Sequence, residues 1–329
     1  MKKTNVLYKI SGFILVFWLF VLTGCSDKNN HLTDELSEEI PMSEEIIQIE
    51  ETPIDELQQA TEKTIDEIQP ETIKPIIEEV DWSDYFDEIN GAAVIYDPTE
   101  NCYQIYNQEL DLTRRSPCST FKIISSLIAL ETGIIEPDNS TRTWSGEIFW
   151  NEDWNKDIDF SDAFHASCVW YFREVIDEIG ADSIQKELNK LQYGNCDISD
   201  WTGELNTNNN NPALTGFWIE SSLLISPKEQ VEVMERIFGD SSEYPEETQN
   251  QLKEVMLLSE QNDTAISIYG KTGMGKTHGI TVDSWYTGFA DSADKRIYFC
   301  VYLGETADKE VSSAKAREIS IKIILDYFP

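Results

Sequence analysis

Ser119 and Lys122 stand three residues apart, and Lys271, Thr272 and Gly273 form a second polar group far downstream. On a helix, positions i and i+3 share a face, so a hydroxyl at 119 and an amine at 122 come within hydrogen-bond reach. A serine beside a base is an activated nucleophile, and serine-x-x-lysine followed by lysine-threonine-glycine is a pattern of serine acyl transfer. Lys122 is the informative residue. An amine in apolar surroundings loses its charge readily, and a neutral amine can take up a proton.

The elements around these residues must hold them still. Pro117 halts earlier structure, Ile123, Ile124, Leu127, Ile128 and Leu130 follow, and Thr132 with Gly133 reads as a C-terminal cap. Apolar side chains fall on every side of that run, which predicts a helix buried in a core. Ser119 then lies in its first turn, where free amides and the positive dipole end favour a developing oxyanion. Residues 92–96 and 103–106 read as paired strands, 284–290 and 296–303 as two more, and 314–327 as a terminal amphipathic helix. Strands from both chain ends with helices between them predict an antiparallel sheet covered by helices.

Further motifs occur in order. Ser116 to Ile123 resembles the active-site segment of class D serine β-lactamases, the oxacillinase type. Ser167, Cys168, Val169 and Trp170 are similar to that family's serine-x-valine motif, and Tyr193, Gly194 and Asn195 to its tyrosine-glycine-asparagine motif. Phe217 to Ser221 resembles the loop with its functional tryptophan, and Trp285 to Gly288 its tryptophan-x-x-glycine strand. Taken singly these residues have ordinary readings: Trp218 as core, Ser167 as a helix cap, Tyr193 and Gly194 as a turn. The ordered set carries the resemblance, which covers Asp81 to the end.

The resemblance implies an α/β (α+β) fold of the serine β-lactamase and penicillin-binding transpeptidase type: an antiparallel sheet flanked by helices, plus a mostly helical subdomain. It implies hydrolysis of β-lactams through an acyl-enzyme on Ser119. Lys122 would take up carbon dioxide as a carbamate, the general base for acylation and deacylation, with no other cofactor. Trp218 would donate its indole N–H to that carbamate, and Ser167 would relay a proton to the leaving nitrogen. Val169, Lys271, Thr272, Gly273, Met274 and Arg317 would bind substrate. Within that set Lys271, Thr272 and Arg317 would hold its carboxylate, and the amides of Ser119 and Met274 would form the oxyanion pocket. Arg317 matches only as an arginine near the start of the last helix. The alternative is a penicillin sensor or transpeptidase-like domain that acylates without turnover. Such sensors usually follow several membrane spans, whereas this chain has a lipoprotein-like leader, which favours an enzyme.

That leader is residues 1–25: Lys2, Lys3 and Lys9 precede an apolar stretch from Ile10 to Leu22, too short for a confident membrane span. Leu22, Thr23, Gly24 and Cys25 resemble the bacterial lipobox, which implies cleavage before Cys25, a lipid on that cysteine, and a protein exported to the outer face of the cell membrane. An uncleaved anchor or an ordinary signal peptide are the other readings. Residues 26–80 hold 17 acidic and 3 basic residues with no aromatics, and read as a disordered tether. Residues 81–329 read as one catalytic domain.

A net charge of −36 excludes a nucleic-acid partner held through phosphates. No two cysteines have C-x-x-C spacing, so a zinc or other metal site is not expected, and Cys118 and Cys168 read as small buried hydrophobes. Gly270 to Thr277 satisfies the Walker A pattern. That loop must open a helix, yet residues 278–282 are β-branched and turn-like. His31, His165 and His278 are the only histidines and no G-x-S-x-G elbow occurs, which disfavours a serine-histidine-aspartate hydrolase; His165 reads as a helix-surface residue.

Overall fold

The computed structural model describes residues 74–258 and 265–328. The leader, Cys25 and the acidic segment as far as residue 73 lie outside the described residues. Six strands form a single sheet: β1 (Ile76–Glu79), β2 (Gly91–Asp97), β3 (Cys102–Tyr106), β4 (Ser267–Thr277), β5 (Ile280–Asp291) and β6 (Arg296–Gly304), in spatial order β1-β3-β2-β6-β5-β4. The four strands expected from the sequence are β2, β3, β5 and β6. They pair antiparallel, as does β4 with β5.

The first strand corrects the sequence reading at two points. Ile76–Glu79 belongs to the sheet rather than to the tether, and it runs parallel to β3, so the sheet is mixed. All four of its side chains are exposed. Backbone pairing alone holds it, with Ile76 N–H donating to Asn101 O and Val80 N–H to Ile105 O, both at 2.9 Å. No hydrophobic pattern could signal a strand that buries nothing.

Both faces of the central strands are covered, which is why they read as continuous apolar runs. Ile297, Phe299, Val301 and Leu303 of β6 point into one core with Ile319, Ile323 and Ile324 of the terminal helix. Tyr298, Cys300 and Tyr302 alternate into the opposite, larger core. That second core belongs to the helical part: α1 (Lys122–Glu131), α2 (Phe160–His165), α3 (Val169–Ile179), α4 (Ala181–Leu191), α5 (Pro227–Phe238) and α6 (Glu246–Met256), while α7 (Ser313–Tyr327) is the terminal helix. Helix α1 is buried from residue 122 to residue 130, as its all-round apolar pattern predicts, and Gly133 follows at φ 69°. Strand β4 is the free edge beside the helical part and packs against the start of the α1 segment.

Candidate active site

The nucleophile's turn is under strain. Cys118 is left-handed at φ 50°, a conformation a non-glycine residue adopts only when its surroundings enforce it. A 3-10 turn over Cys118–Phe121 then runs into α1. Ser119 stays partly exposed on this turn while its neighbours are buried. Strand β4 comes against the same turn at Gly273: a Cβ there would meet Pro117 O at 2.9 Å, so only glycine permits the approach. Met274, the next residue, is exposed on the β4 edge. Ser119 and Met274 thus lie on the two structures that meet at the site.

Lys122 Nζ donates to Ser119 Oγ at 2.9 Å. The amine is buried, 5.3 Å from the centre of the Phe172 ring on α3. Burial lowers its pKa from 10.5 to about 8, because the ammonium form loses its hydration. The Trp218 indole is fully buried and stacks near Phe121 at 6.1 Å, and its Nε1 has no hydrogen-bond partner among the described residues. A buried N–H without an acceptor costs about 1–3 kcal/mol, so this donor calls for an explanation.

Ser167 is a second strained residue at the site, left-handed at φ 52° between α2 and α3. Its hydroxyl accepts a short hydrogen bond from Lys271 Nζ, which also donates to Thr272 Oγ1 at 3.3 Å. Burial, and after it the charges of Lys122 and Arg317, push the Lys271 amine well below its ordinary range. Lys271, Thr272 and Arg317 line one small cavity of about 100 Å³. Arg317, the least specific of the sequence matches, is therefore placed with the other two. His165 is exposed at the end of α2, as its reading as a helix-surface residue expected, and it also lines the same cavity, where α2 packs against α6. Val169 opens α3 and packs against the larger core.

The tyrosine-glycine-asparagine motif is a fastening. Tyr193 packs edge-on to Phe121, and Asn195 accepts from Leu224 N at 2.9 Å and donates to Ser222 O at 2.8 Å, which ties down the loop after Trp218. Ser116 completes it, donating to Trp218 O at 3.1 Å and accepting from Glu220 N at 2.8 Å.

The Walker A match lies within β4 and leads through His278 and Gly279 into β5, so no helix opens after it. Cys118 and Cys168 are buried free thiols, both pushed up by burial and therefore protonated rather than nucleophilic. Cys102, Cys196 and Cys300 are free as well. Among the described residues no group of three or more His, Cys, Asp or Glu side chains could hold a metal ion.

Comparison with known proteins places this geometry. The penicillin binding protein transpeptidase domain family matches residues 91–325. Regulatory protein BlaR1 of Bacillus licheniformis is 31% identical over 75% of this chain, which spans only 39% of that protein's length. Beta-lactamase OXA-1 of Escherichia coli is 31% identical over 74% of this chain and 86% of its own. The solved C-terminal domain of the Bacillus licheniformis BlaR penicillin-receptor superposes with a TM-score of 0.67 at 29% identity, covering 77% of this chain and 97% of that domain. The strained serine turn with its buried lysine, the edge-strand lysine-threonine-glycine and these likenesses converge: the chain belongs to the penicillin-binding transpeptidase family, in the group that holds class D β-lactamases and BlaR1-type receptor domains.

Proposed function

We propose that this protein binds β-lactam antibiotics and hydrolyses them through an acyl-enzyme on Ser119. One observation carries the reading: a buried lysine amine, its pKa lowered by burial, touches the serine hydroxyl, while the buried Trp218 N–H has no acceptor among the described residues. A carbamate on Lys122 fits such a pocket, because it would accept from Trp218 and supply a general base for acylation and deacylation.

The chain's own groups have the remaining roles. Ser119 Oγ attacks the lactam carbonyl, and the amides of Ser119 and Met274 receive the oxyanion. Ser167, held by Lys271, passes a proton to the departing nitrogen. Lys271, Thr272 and Arg317 bind the substrate carboxylate. An anion there favours the ammonium form that burial and two neighbouring cations disfavour in the free protein, so substrate charge and Lys271 charge arrive together. A lipid on Cys25 would hold the protein at the outer face of the cell membrane.

The likeness to BlaR1 and to the BlaR receptor domain favours a second reading, a sensor that stays acylated. Mixing the protein with excess chromogenic cephalosporin separates the two. Many product molecules per protein and a transient adduct mapped by mass to Ser119 mark an enzyme; one equivalent of product with a lasting adduct marks a sensor. An adduct on Cys118 overturns both.

A further inference from the structure

Glu220 lies two residues beyond Trp218, and neither the acyl chemistry nor the carboxylate clamp uses it. Its backbone is left-handed at φ 47°, and its N–H donates to Ser116 Oγ at 2.8 Å, which seats it beside the nucleophile's turn. The side chain reaches between the two structures that meet at the site. On one side the Cys118 thiol, next to Ser119 in the chain, donates to Glu220 Oε1 at 3.3 Å. On the other, the same oxygen fills the space over Gly275 of β4, where a Cβ would lie 1.5 Å from it. Gly275 pairs across the sheet with Asp283 of β5. The Asp283 carboxyl bonds that of Glu220 and accepts from Tyr302 OH at 2.6 Å. A chain of contacts thus runs from Cys118 through Glu220 and Asp283 to Tyr302, beside Met274.

We propose that Glu220 and Asp283 share one proton, and that the protonated pair is a positioning device holding the Cys118–Ser119 turn against Met274 and Gly275, so that the two oxyanion donors stay in register. This rests on the acyl-transfer reading of Ser119. Two carboxyls in contact cannot both ionise cheaply. Among the groups facing them, Cys118 and Tyr302 are pushed up by burial and remain hydrogen-bond donors; their hydrogen bonds and the Arg115 charge favour ionisation, and burial of the carboxyls outweighs them. Burial first, then the neighbouring Asp283, raises the Glu220 carboxyl to about 7; Asp283 is raised as well. Carboxyls raised in this way stabilise the fold below their ordinary range, and that contribution is lost as pH rises through about 7. Loss of the proton sets two negative charges against each other directly behind the oxyanion donors.

Asp283→Asn tests this on the full chain, because its amide donates to an ionised Glu220 and needs no shared proton. Single-turnover acylation by a chromogenic cephalosporin is measured for both proteins between about pH 5.5 and about 8.5, with thermal melts over the same span. Lys122 titrates in both, so it cancels in their ratio. The ratio of variant to wild-type rate should rise about tenfold across the span, a fraction of what losing an oxyanion donor outright costs. The melting temperature of the variant should gain on the wild type as pH rises, and Glu220→Gln should change in the same direction on both measures. A rate ratio that stays flat overturns the positioning role whatever the melts show, and a constant gap in melting temperature overturns the shared proton. A wild type that no cephalosporin acylates refutes the function proposed for Ser119, and the melts then decide on the proton by themselves.

Discussion

Lys122 offers the most exposed test of the chemistry. With a pKa of 10.5 an amine is neutral in about one molecule in three thousand at pH 7, whereas at about 8 it is neutral in about one in ten. Burial thus raises the reactive form about 300-fold. Carbon dioxide adds to the neutral amine alone, and the folded-state pKa is lowered, so activity should fall as pH drops through about 8. In degassed buffer hydrolysis of a chromogenic cephalosporin should be weak. Added bicarbonate should restore it, and because forming the carbamate from the ammonium and bicarbonate releases water and one proton, the bicarbonate needed for half-recovery should rise about tenfold for each pH unit below about 8. A ¹³C carbonyl signal from labelled bicarbonate should track the recovery and be missing from Lys122→Ala. That variant should still fold: relief of the buried ammonium releases about 3 kcal/mol at neutral pH, which offsets a cavity cost of about 2–5 kcal/mol. Its deacylation should fall about 10²–10⁴-fold, the usual worth of a general base. Turnover indifferent to bicarbonate at every pH, with no ¹³C signal, would refute the carbamate and leave Lys122 acting as a free amine.

Trp218→Phe keeps an aromatic ring against Phe121 but removes the N–H that has no acceptor among the described residues; deacylation should slow more than acylation, so acyl-protein builds up in quenched-flow mass spectra, and equal loss in both steps would mean that Trp218 only packs. Cys25→Ala should move the protein from the membrane fraction to the soluble one on cell fractionation, and unchanged retention would mean an uncleaved anchor.

What the sequence determined by itself is what short range decides. Ser119 and Lys122 meet because three residues make nearly one helical turn, whatever the rest of the chain does. The all-apolar run after them announced a buried helix, and with it a lysine short of charge, while alternating and continuous apolar runs located β2, β3, β5, β6 and α7. The family's motifs, met in order, named Ser167, Trp218 and Lys271. Tertiary structure decided the rest. Arg317 joins Lys271 and Thr272 only because α7 packs across the sheet beside β4, and His165 arrives at that cavity only through the packing of α2. Strand β1 is held by backbone bonds to a strand that follows it in the chain, with no buried side chain to betray it. Glu220 and Asp283 read as two more acids in a very acidic chain; their contact depends on a glycine at 275 making room and on β4 pairing with β5 in a particular register. Charges far apart in sequence influence each other's protonation only once burial has removed the water between them, and that removal is the work of the folded state.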